Sequence, residues 1–165
     1  TLVLRELPFP AGGAFWLPFT YEEAGRGFTH GWWYGRPVYP NSSRRFLHAY
    51  LDGDEVARVE LDERVSIDHY ADVPDIEAMA LEIQFIEVHA EHRLAGIGHA
   101  VVELMANQNP DRRLVAFSEG ADGFWAHLDG VAISMLTPTR PDIIDRSSSR
   151  RPDGRPVDAL AALAE

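Results

Sequence analysis

The spacing of hydrophobic residues changes abruptly near residue 90 of this chain. Residues 79–88 form an apolar, strand-like run that is typical of a buried β-strand. Beyond them, apolar residues recur at helical spacing, at Ile97, Ala100, Val101, Leu104 and Met105. Glycines lie between the two segments, so the pattern predicts a strand, a glycine-bearing turn and a helix in that order.

The remaining pattern predicts a mixed α/β fold around one central sheet. Residues 46–51 and 56–61 read as two strands joined across Asp52-Gly53-Asp54, a sequence that favours a hairpin turn. Further predicted elements are strands at residues 2–6, 113–118 and 131–136, a polar connection at 65–75 and a short helix at 121–128.

The length of 165 residues suits one domain with its own hydrophobic core, and we expect residues 1–144 to form it. Residues 145–156 are rich in charge, serine and proline, a composition that favours a flexible segment. Residues 157–165 are rich in alanine and leucine, which favours a short terminal helix. The sequence therefore predicts a single domain followed by a tail at residues 145–165.

Residues 11–40 combine many aromatic side chains with glycines and prolines that interrupt regular periodicity. Loops with at most short helical turns are expected there. Trp32, Trp33 and Tyr34 could form an aromatic wall that binds an ammonium group by cation–π attraction. Two alternatives stay open: the rings fill a hydrophobic core, or they form an apolar patch through which the protein makes a homodimer.

The glycine-bearing turn at residues 92–99 is the strongest candidate for a binding site. The first amides of a helix have no intrahelical acceptor and lie at the positive end of the helix dipole, so they favour phosphate. Gly96 and Gly98 would let a pyrophosphate approach the backbone. Two common phosphate loops do not match, because the chain contains no lysine for a Walker loop and Val101 replaces the third small residue of the dinucleotide fingerprint.

The turn instead resembles motif A of the GNAT superfamily of N-acetyltransferases, which binds the pyrophosphate of acetyl-coenzyme A. Arg93, Gly96 and Gly98 fall at the three defining positions of that motif. The spacing from Glu82 to Arg93 equals that between the strand glutamate and motif A in the family's histone acetyltransferases. The resemblance covers residues 79–130. It implies a GNAT-like fold, with a mostly antiparallel sheet flanked by helices, and acetyl-coenzyme A as co-substrate.

The resemblance also implies which groups hold the co-substrate. A backbone amide near the end of the strand, that of Ile86 or Val88, would donate to the thioester carbonyl as in an oxyanion hole. The pyrophosphate would be bound by the residues of the turn, namely Arg93, Leu94, Ala95, Gly96, Ile97 and Gly98.

Glu82 is the candidate general base, because it occupies the position of the family's catalytic strand glutamate. A carboxylate on an apolar strand gains proton affinity by desolvation, which suits a base near neutral pH. The alternatives are a glutamate paired with an arginine or exposed at the strand start, and a proton relay through water. Glu87 is a weaker candidate base. Strict alternation would place Glu82, Gln84, Ile86 and Val88 on one face, and Leu81, Ile83, Phe85 and Glu87 on the other.

Trp125 stands where the family often has a tyrosine as general acid, and an indole N–H is not a useful acid. Ser118, His127 or a water molecule could take that role. The leading hypothesis is an N-acetyltransferase that passes acetyl from acetyl-coenzyme A to a primary amine by direct attack in a ternary complex. The alternatives are a catalytically degenerate module that binds an acyl-coenzyme A as a sensor or subunit, and a structural or dimerisation protein.

Composition limits the partners. A formal net charge of −11 is expected to repel nucleic acid and anionic membranes and to favour a cationic amine, or it only maintains solubility. The absence of cysteine excludes disulfides and thiolate chemistry. His89, His92 and His99 do not have the spacing of a zinc site, so no metal is expected. Because no membrane-length apolar run or signal peptide is visible, we expect a cytoplasmic protein.

Overall fold

A computed structural model describes residues 1–65, 79–117, 124 and 133–136. They form a six-stranded sheet whose strands lie side by side in sequence order. The strands are β1 (Leu2–Leu7), β2 (Arg44–Leu51), β3 (Asp54–Asp62), β4 (Ala80–Val88), β5 (Arg113–Phe117) and β6 (Ile133–Leu136). The helices are α1 (Tyr21–Ala24), α2 (His30–Trp33) and α3 (Ile97–Gln108), and a 3₁₀ turn at Ala90–His92 follows β4.

The sheet is mixed, and the predicted mixed α/β class is confirmed. Strands β1 to β4 pair antiparallel, whereas β5 pairs parallel to both β4 and β6. The predicted hairpin is also confirmed, because β2 and β3 are joined through Asp52 and Gly53 at φ angles of 53° and 107°. A tight hairpin turn needs such positive angles. The predicted strand–turn–helix order between residues 79 and 108 is confirmed as well.

One face of the sheet is covered by α3. The residues that α3 buries are Gly98, Val101, Val102 and Met105. The predicted apolar stripe is therefore slightly displaced, since Val102 is buried while Ala100 and Leu104 are only half-buried. Sheet side chains in the same core include Leu47, Ala57, Val59, Leu61, Leu81, Ile83, Ile86 and Leu114. Burial of these apolar surfaces holds α3 on the sheet.

The other face is covered by residues 11–40, here called the aromatic segment. As predicted, it consists of loops and short helical turns, α1 and α2. Its buried rings pack on the sheet residues Phe46 and Phe85. The Phe19 ring lies edge-to-face on Trp33 and on Phe46, with centroids 5.1 Å and 6.4 Å apart. Phe19 and Trp33 therefore fill a hydrophobic core, which is one of the two alternatives to an ammonium-binding wall.

A β-bulge in β4 changes which of its residues share a face. Glu60 of β3 is opposite Phe85, but the next residue, Leu61, is opposite Ile83, so Gln84 has no register partner on β3. One extra residue in a strand reverses the side on which all later residues lie.

The strict alternation predicted for this strand is therefore wrong. Glu82 lies between two residues of the α3-side core, so its side chain is directed to the opposite face, that of the aromatic segment. Glu82 does not share a face with Ile86 and Val88 as predicted. The β4 residues in the core under α3 are Leu81, Ile83, Ile86 and Val88, whereas Phe85 packs with the aromatic segment.

Several predictions concern residues outside the described part of the chain. They are most of the polar connection at 65–75, most of the short helix at 121–128, the acid candidates Ser118 and His127, Trp125, and the tail at 145–165. Within the predicted short helix, Phe124 is described and is helical.

Candidate functional site

The predicted anion site lies where the turn after β4 leads into α3. The helix begins at Ile97, and its N-cap residue Gly96 has a φ of 75°, in the left-handed region. Leu94 in the same turn has a φ of 61° and is 89% exposed. Because Gly96 has no side chain to cap the helix, the first amides of α3 lie in an exposed turn at the positive end of the helix dipole.

The two glycines of the turn have different roles in the structure. At Gly96 an added Cβ would meet no described atom within 4 Å, so the residue leaves open space and supplies the left-handed angle. At Gly98 an added Cβ would lie 2.9 Å from Phe124 and 3.5 Å from Val88. Close packing of α3 therefore requires Gly98, whereas Gly96 is the glycine with space for a ligand beside it.

The end of β4 has a backbone edge that no described strand pairs with. The amide of His89 donates to the Val56 carbonyl oxygen over 2.8 Å, so alternation directs the amides of Ile86 and Val88 away from β3 and toward the β5 side. On that side the pairing of β4 with β5 ends at Ile83. The two amides predicted to polarise a thioester carbonyl thus lie beyond the ladder formed by the described strands.

Arg93 is held against the end of β4. Its Nε donates to the Val88 carbonyl oxygen over 3.2 Å, and its Nη2 donates to the Glu87 carboxylate over 3.3 Å. The side chain remains 30% exposed at the turn. Because Glu87 balances part of its charge, the main-chain amides are the stronger candidates for anion donors in this turn.

Glu87 is a fully buried carboxylate that joins the aromatic segment to the turn. Its Oε1 accepts hydrogen bonds from the amide and the hydroxyl of Thr29, both at 2.9 Å. Its Oε2 accepts from the indole Nε1 of Trp33 at 2.6 Å. Together with the Arg93 contact, these bonds satisfy a charge whose burial would otherwise be costly.

From sequence alone, Glu87 is only a weak candidate base. With 0% exposure and donors on both oxygens, its carboxylate is suited to positioning its neighbours rather than to exchanging a proton with a substrate. Thr29 and Trp33 are too far away in sequence for a local pattern to reveal them. The available signal was a carboxylate inside an apolar strand, which usually has buried partners.

Glu82 lies near the start of β4, with Asp62 of β3 and Val115 of β5 as its register partners. It is 9% exposed, so the alternative of an exposed glutamate is not observed. A strand rise of about 3.3 Å per residue puts its Cα about 13 Å from that of Ile86. An amine bound near the Ile86 amide would therefore be too far from Glu82 for direct proton transfer. Its proton would reach Glu82 through bridging water, or the substrate would have to span the distance.

The predicted aromatic wall consists of residues in three different environments. Trp33 is 3% exposed and belongs to the core, Trp32 is half-buried, and Tyr34 is 40% exposed. Tyr34 lies in a surface cluster with Tyr21 and His30, with ring centroids 5.2 Å and 5.0 Å from its own. Trp32 and Tyr34 retain accessible ring surface, and an ammonium site at these two residues stays a prediction.

A buried arginine anchors the aromatic segment to the sheet. Arg58 is 1% exposed, and its guanidinium lies 4.4 Å and 4.0 Å from the ring centroids of Phe19 and Phe28. It donates to carbonyl oxygens of α1 and to the Glu55 carboxylate. Burial raises the pKa of Glu55, but hydrogen bonds from His48 and Arg58 outweigh burial and lower that pKa from 4.5 to about 2.

The histidines near the turn have other partners. The Nδ1 atom of His89 accepts from the Glu91 amide over 3.2 Å, and His99 lies 3.4 Å from Glu103. Among the described residues, no group of three or more His, Cys, Asp or Glu could hold a metal ion. Nor does any helix in the described ranges have the length and hydrophobicity to cross a bilayer.

No protein-family model and no curated protein matches this chain. The resemblance to the GNAT superfamily therefore rests on the motif residues and on the strand, turn and helix that carry them.

Proposed function

We propose that this protein is a GNAT-type N-acetyltransferase that transfers acetyl from acetyl-coenzyme A to a primary amine. The observation that carries the proposal is the ungapped spacing from Glu82 to Gly98. It falls on a buried strand, an exposed turn with a left-handed glycine and the first turn of a helix. The β4 edge beyond Ile83 supports the proposal, because a thioester needs fixed main-chain donors within reach.

In the proposed complex, the first amides of α3 and the turn from Arg93 to Gly98 bind the pyrophosphate. The pantetheine arm lies along the edge of β4, where the amide of Ile86 or Val88 donates to the thioester oxygen. The amine attacks the carbonyl carbon, a C–N bond forms and the C–S bond breaks. Coenzyme A leaves as a thiolate that takes up a proton.

Glu82 accepts the ammonium proton in this scheme, through water, before the attack. Ser118 is a weak candidate for the group that protonates the thiolate, and water is the alternative. Because the acceptor must lose a proton to become a nucleophile, the base determines the rate near neutral pH.

The proposed acceptor is a cationic primary amine, either a small molecule or an amine on a protein. A net charge of −11 raises the local concentration of such amines and disfavours nucleic acid and anionic membranes as partners. A cytoplasmic location and a homodimer are part of the same proposal, and no metal takes part.

Incubation of the protein with acetyl-coenzyme A and a panel of primary amines tests the proposal, with release of free thiol as the measurement. We expect thiol release that depends on the amine and an acetylated product detected by mass spectrometry. Calorimetric titration with coenzyme A measures binding separately. If neither coenzyme A nor acetyl-coenzyme A gives a binding signal in the titration, both the proposed cofactor site and the proposed acetyl transfer are contradicted.

A degenerate module that binds an acyl-coenzyme A without transfer is the second candidate. The position of Glu82 favours it, because its Cα lies about 13 Å along β4 from that of Ile86, too far for direct proton transfer from an amine bound at the Ile86 amide. Trp125 at the usual tyrosine position points the same way. Tight binding of coenzyme A with no thiol release above hydrolysis, across a broad amine panel, would support the module over the enzyme.

A further inference from the structure

A separate cleft lies at the other end of the sheet from the turn that precedes α3. It forms where β1 ends and β2 begins. Arg44 in its wall is in register with Asp62, and Asp62 is in register with Glu82 near the start of β4, far from Val88 at the end of that strand. The volume of the cleft is about 290 Å³, near the lower end of the range for small-molecule sites.

Aromatic and proline side chains form the apolar part of the wall. The Phe9 and Trp16 rings meet edge-to-face with centroids 6.1 Å apart, and Trp16 is fixed in turn against Phe46 at 5.7 Å. Rings held in this way offer an apolar surface that is ordered before a ligand arrives. Tyr39 and Pro40 line the same cleft.

Arg44 supplies the polar part of the wall. Its Nε donates to the Glu60 carboxylate over 2.5 Å, and its guanidinium lies 5.3 Å from the Phe46 ring centroid. The guanidinium is therefore held in one orientation, while the side chain is 22% exposed. Its Nη2 atom is buried and has no hydrogen-bond partner among the described residues. Native structures rarely leave a buried donor without an acceptor.

The carboxylates beside the cleft already have partners. Glu6 is bound by Arg45 through two hydrogen bonds, at 2.9 Å and 2.6 Å, and Glu60 is paired with Arg44. Among these charged groups, Arg44 is therefore the one with an unpaired donor. A planar guanidinium recognises a planar oxyanion, and best of all a carboxylate.

We propose that this cleft binds a small organic carboxylate with a flat apolar body. The carboxylate contacts the exposed part of the Arg44 guanidinium, and the body lies against Trp16 and Phe9. The site is separate from the proposed coenzyme A site, and its occupancy does not depend on acetyl transfer.

Phenylacetate is a suitable probe, and NMR of the full chain is a suitable measurement. We expect saturable binding with a dissociation constant on the order of 1 mM, given the small size of the probe. Intermolecular NOEs should link its phenyl protons to the indole of Trp16. Phenylacetamide has the same shape without the charge, and it should bind about tenfold more weakly because it loses a charge-assisted bond.

Variants test the role of Arg44 separately from that of its partner Glu60. Arg44→Gln combined with Glu60→Gln removes both members of the ion pair and should weaken phenylacetate binding about tenfold. Glu60→Gln alone retains the guanidinium and should retain binding. The NOEs are recorded on the unaltered protein, so they are informative even if a variant fails to fold.

Three results would overturn the proposal: no saturable binding of phenylacetate, equal binding of phenylacetamide, or NOEs from a different surface. Preference for inorganic phosphate over phenylacetate would overturn it as well, because the aromatic wall would then have no role in recognition.

Discussion

The carboxylate of Glu87 on β4 hydrogen-bonds both to the aromatic segment and to the turn before α3. The donors that it accepts from lie 58, 54 and 6 residues away along the chain. The fold can bury this charge because each carboxylate oxygen accepts hydrogen bonds. Removal of the carboxylate or of one of its donors leaves a buried polar group without a partner and lowers the free energy of unfolding.

Replacement of Glu87 by glutamine should lower the free energy of unfolding by about 1–3 kcal/mol, because an amide NH₂ group would face donors that need an acceptor. Urea denaturation followed by tryptophan fluorescence measures the loss. Glu103→Gln is the matched control, since Glu103 is 52% exposed on α3. Equal stability of Glu87→Gln and the unaltered protein would mean that these hydrogen bonds do not contribute in solution.

Gly96→Glu should abolish binding of coenzyme A, because a carboxylate would occupy and repel the pyrophosphate space, and it should lower stability only by the strain of a side chain at a left-handed φ. Calorimetric titration measures binding, and thermal unfolding reports the fold. Gly12→Glu is the control, because Gly12 has nearly the same φ, 74° against 75°, and equally open surroundings. If Gly96→Glu binds coenzyme A as the unaltered protein does, the turn is not the cofactor site.

At the scale of the element, β4 carries the proposed chemistry in three consecutive parts. Glu82 lies near its start, the bulge follows at Gln84, and the edge with the Ile86 and Val88 amides comes last. The bulge directs the Glu82 side chain to the face of the aromatic segment, whereas the two amides lie in the plane of the sheet. The proposed base and the proposed carbonyl donors are therefore separated both along β4 and in direction.

Glu82→Gln should lower turnover at neutral pH by about a hundredfold and should recover activity at high pH, where the amine is already deprotonated. A pH profile of thiol release with one amine measures this effect. Glu91→Gln, at an exposed position, is the control. A loss of equal size at every pH would instead assign Glu82 a structural role on the aromatic-segment face.

At the scale of the whole molecule, the two faces of the sheet are stabilised in different ways. The face under α3 is held by apolar side chains, whereas the face under the aromatic segment also contains buried charges. Arg58 and Glu55 are central to the second face, and their interaction depends on the ionisation of the carboxylate. We therefore expect acid to destabilise the attachment of the aromatic segment.

The pKa of Glu55 is lowered to about 2 in the folded protein, so its contribution is complete above the ordinary value of 4.5 and is lost as pH falls through about 2. Glu55→Gln should cost about 1–2 kcal/mol at pH 6, because solvent screens this partly exposed ion pair, and much less at pH 2. Urea unfolding across this range measures the difference, with the exposed Glu22→Gln as control. A constant difference between variant and unaltered protein at all pH values would contradict the assignment.

Periodicity and turn chemistry were sufficient to predict most of the fold. The hairpin at Asp52-Gly53, the apolar strand before residue 89 and the helix after Gly96 all depend on local spacing, which a sequence displays directly. The glycine-bearing turn before α3 could be predicted for the same reason, because a helix N-terminus and its glycines are consecutive in the chain.

The tertiary structure decided the features that depend on pairing between distant residues. One extra residue in β4, Gln84, reversed the expected face of Glu82, and no local pattern distinguishes a bulge from a regular strand. The role of Gly98 depends on Phe124 packing against it, and the role of Glu87 depends on donors from the aromatic segment.

The sequence by itself determined the order of strands and helices and the position of the candidate anion site, because hydrophobic spacing and turn residues act over a few neighbours. Only the tertiary structure decided which carboxylates are buried, which backbone edge of β4 is left outside the described ladder and where a cleft forms. These properties depend on contacts between segments far apart in the chain. Burial of a side chain and pairing of a strand each need a partner segment, so neither can be read from one segment alone.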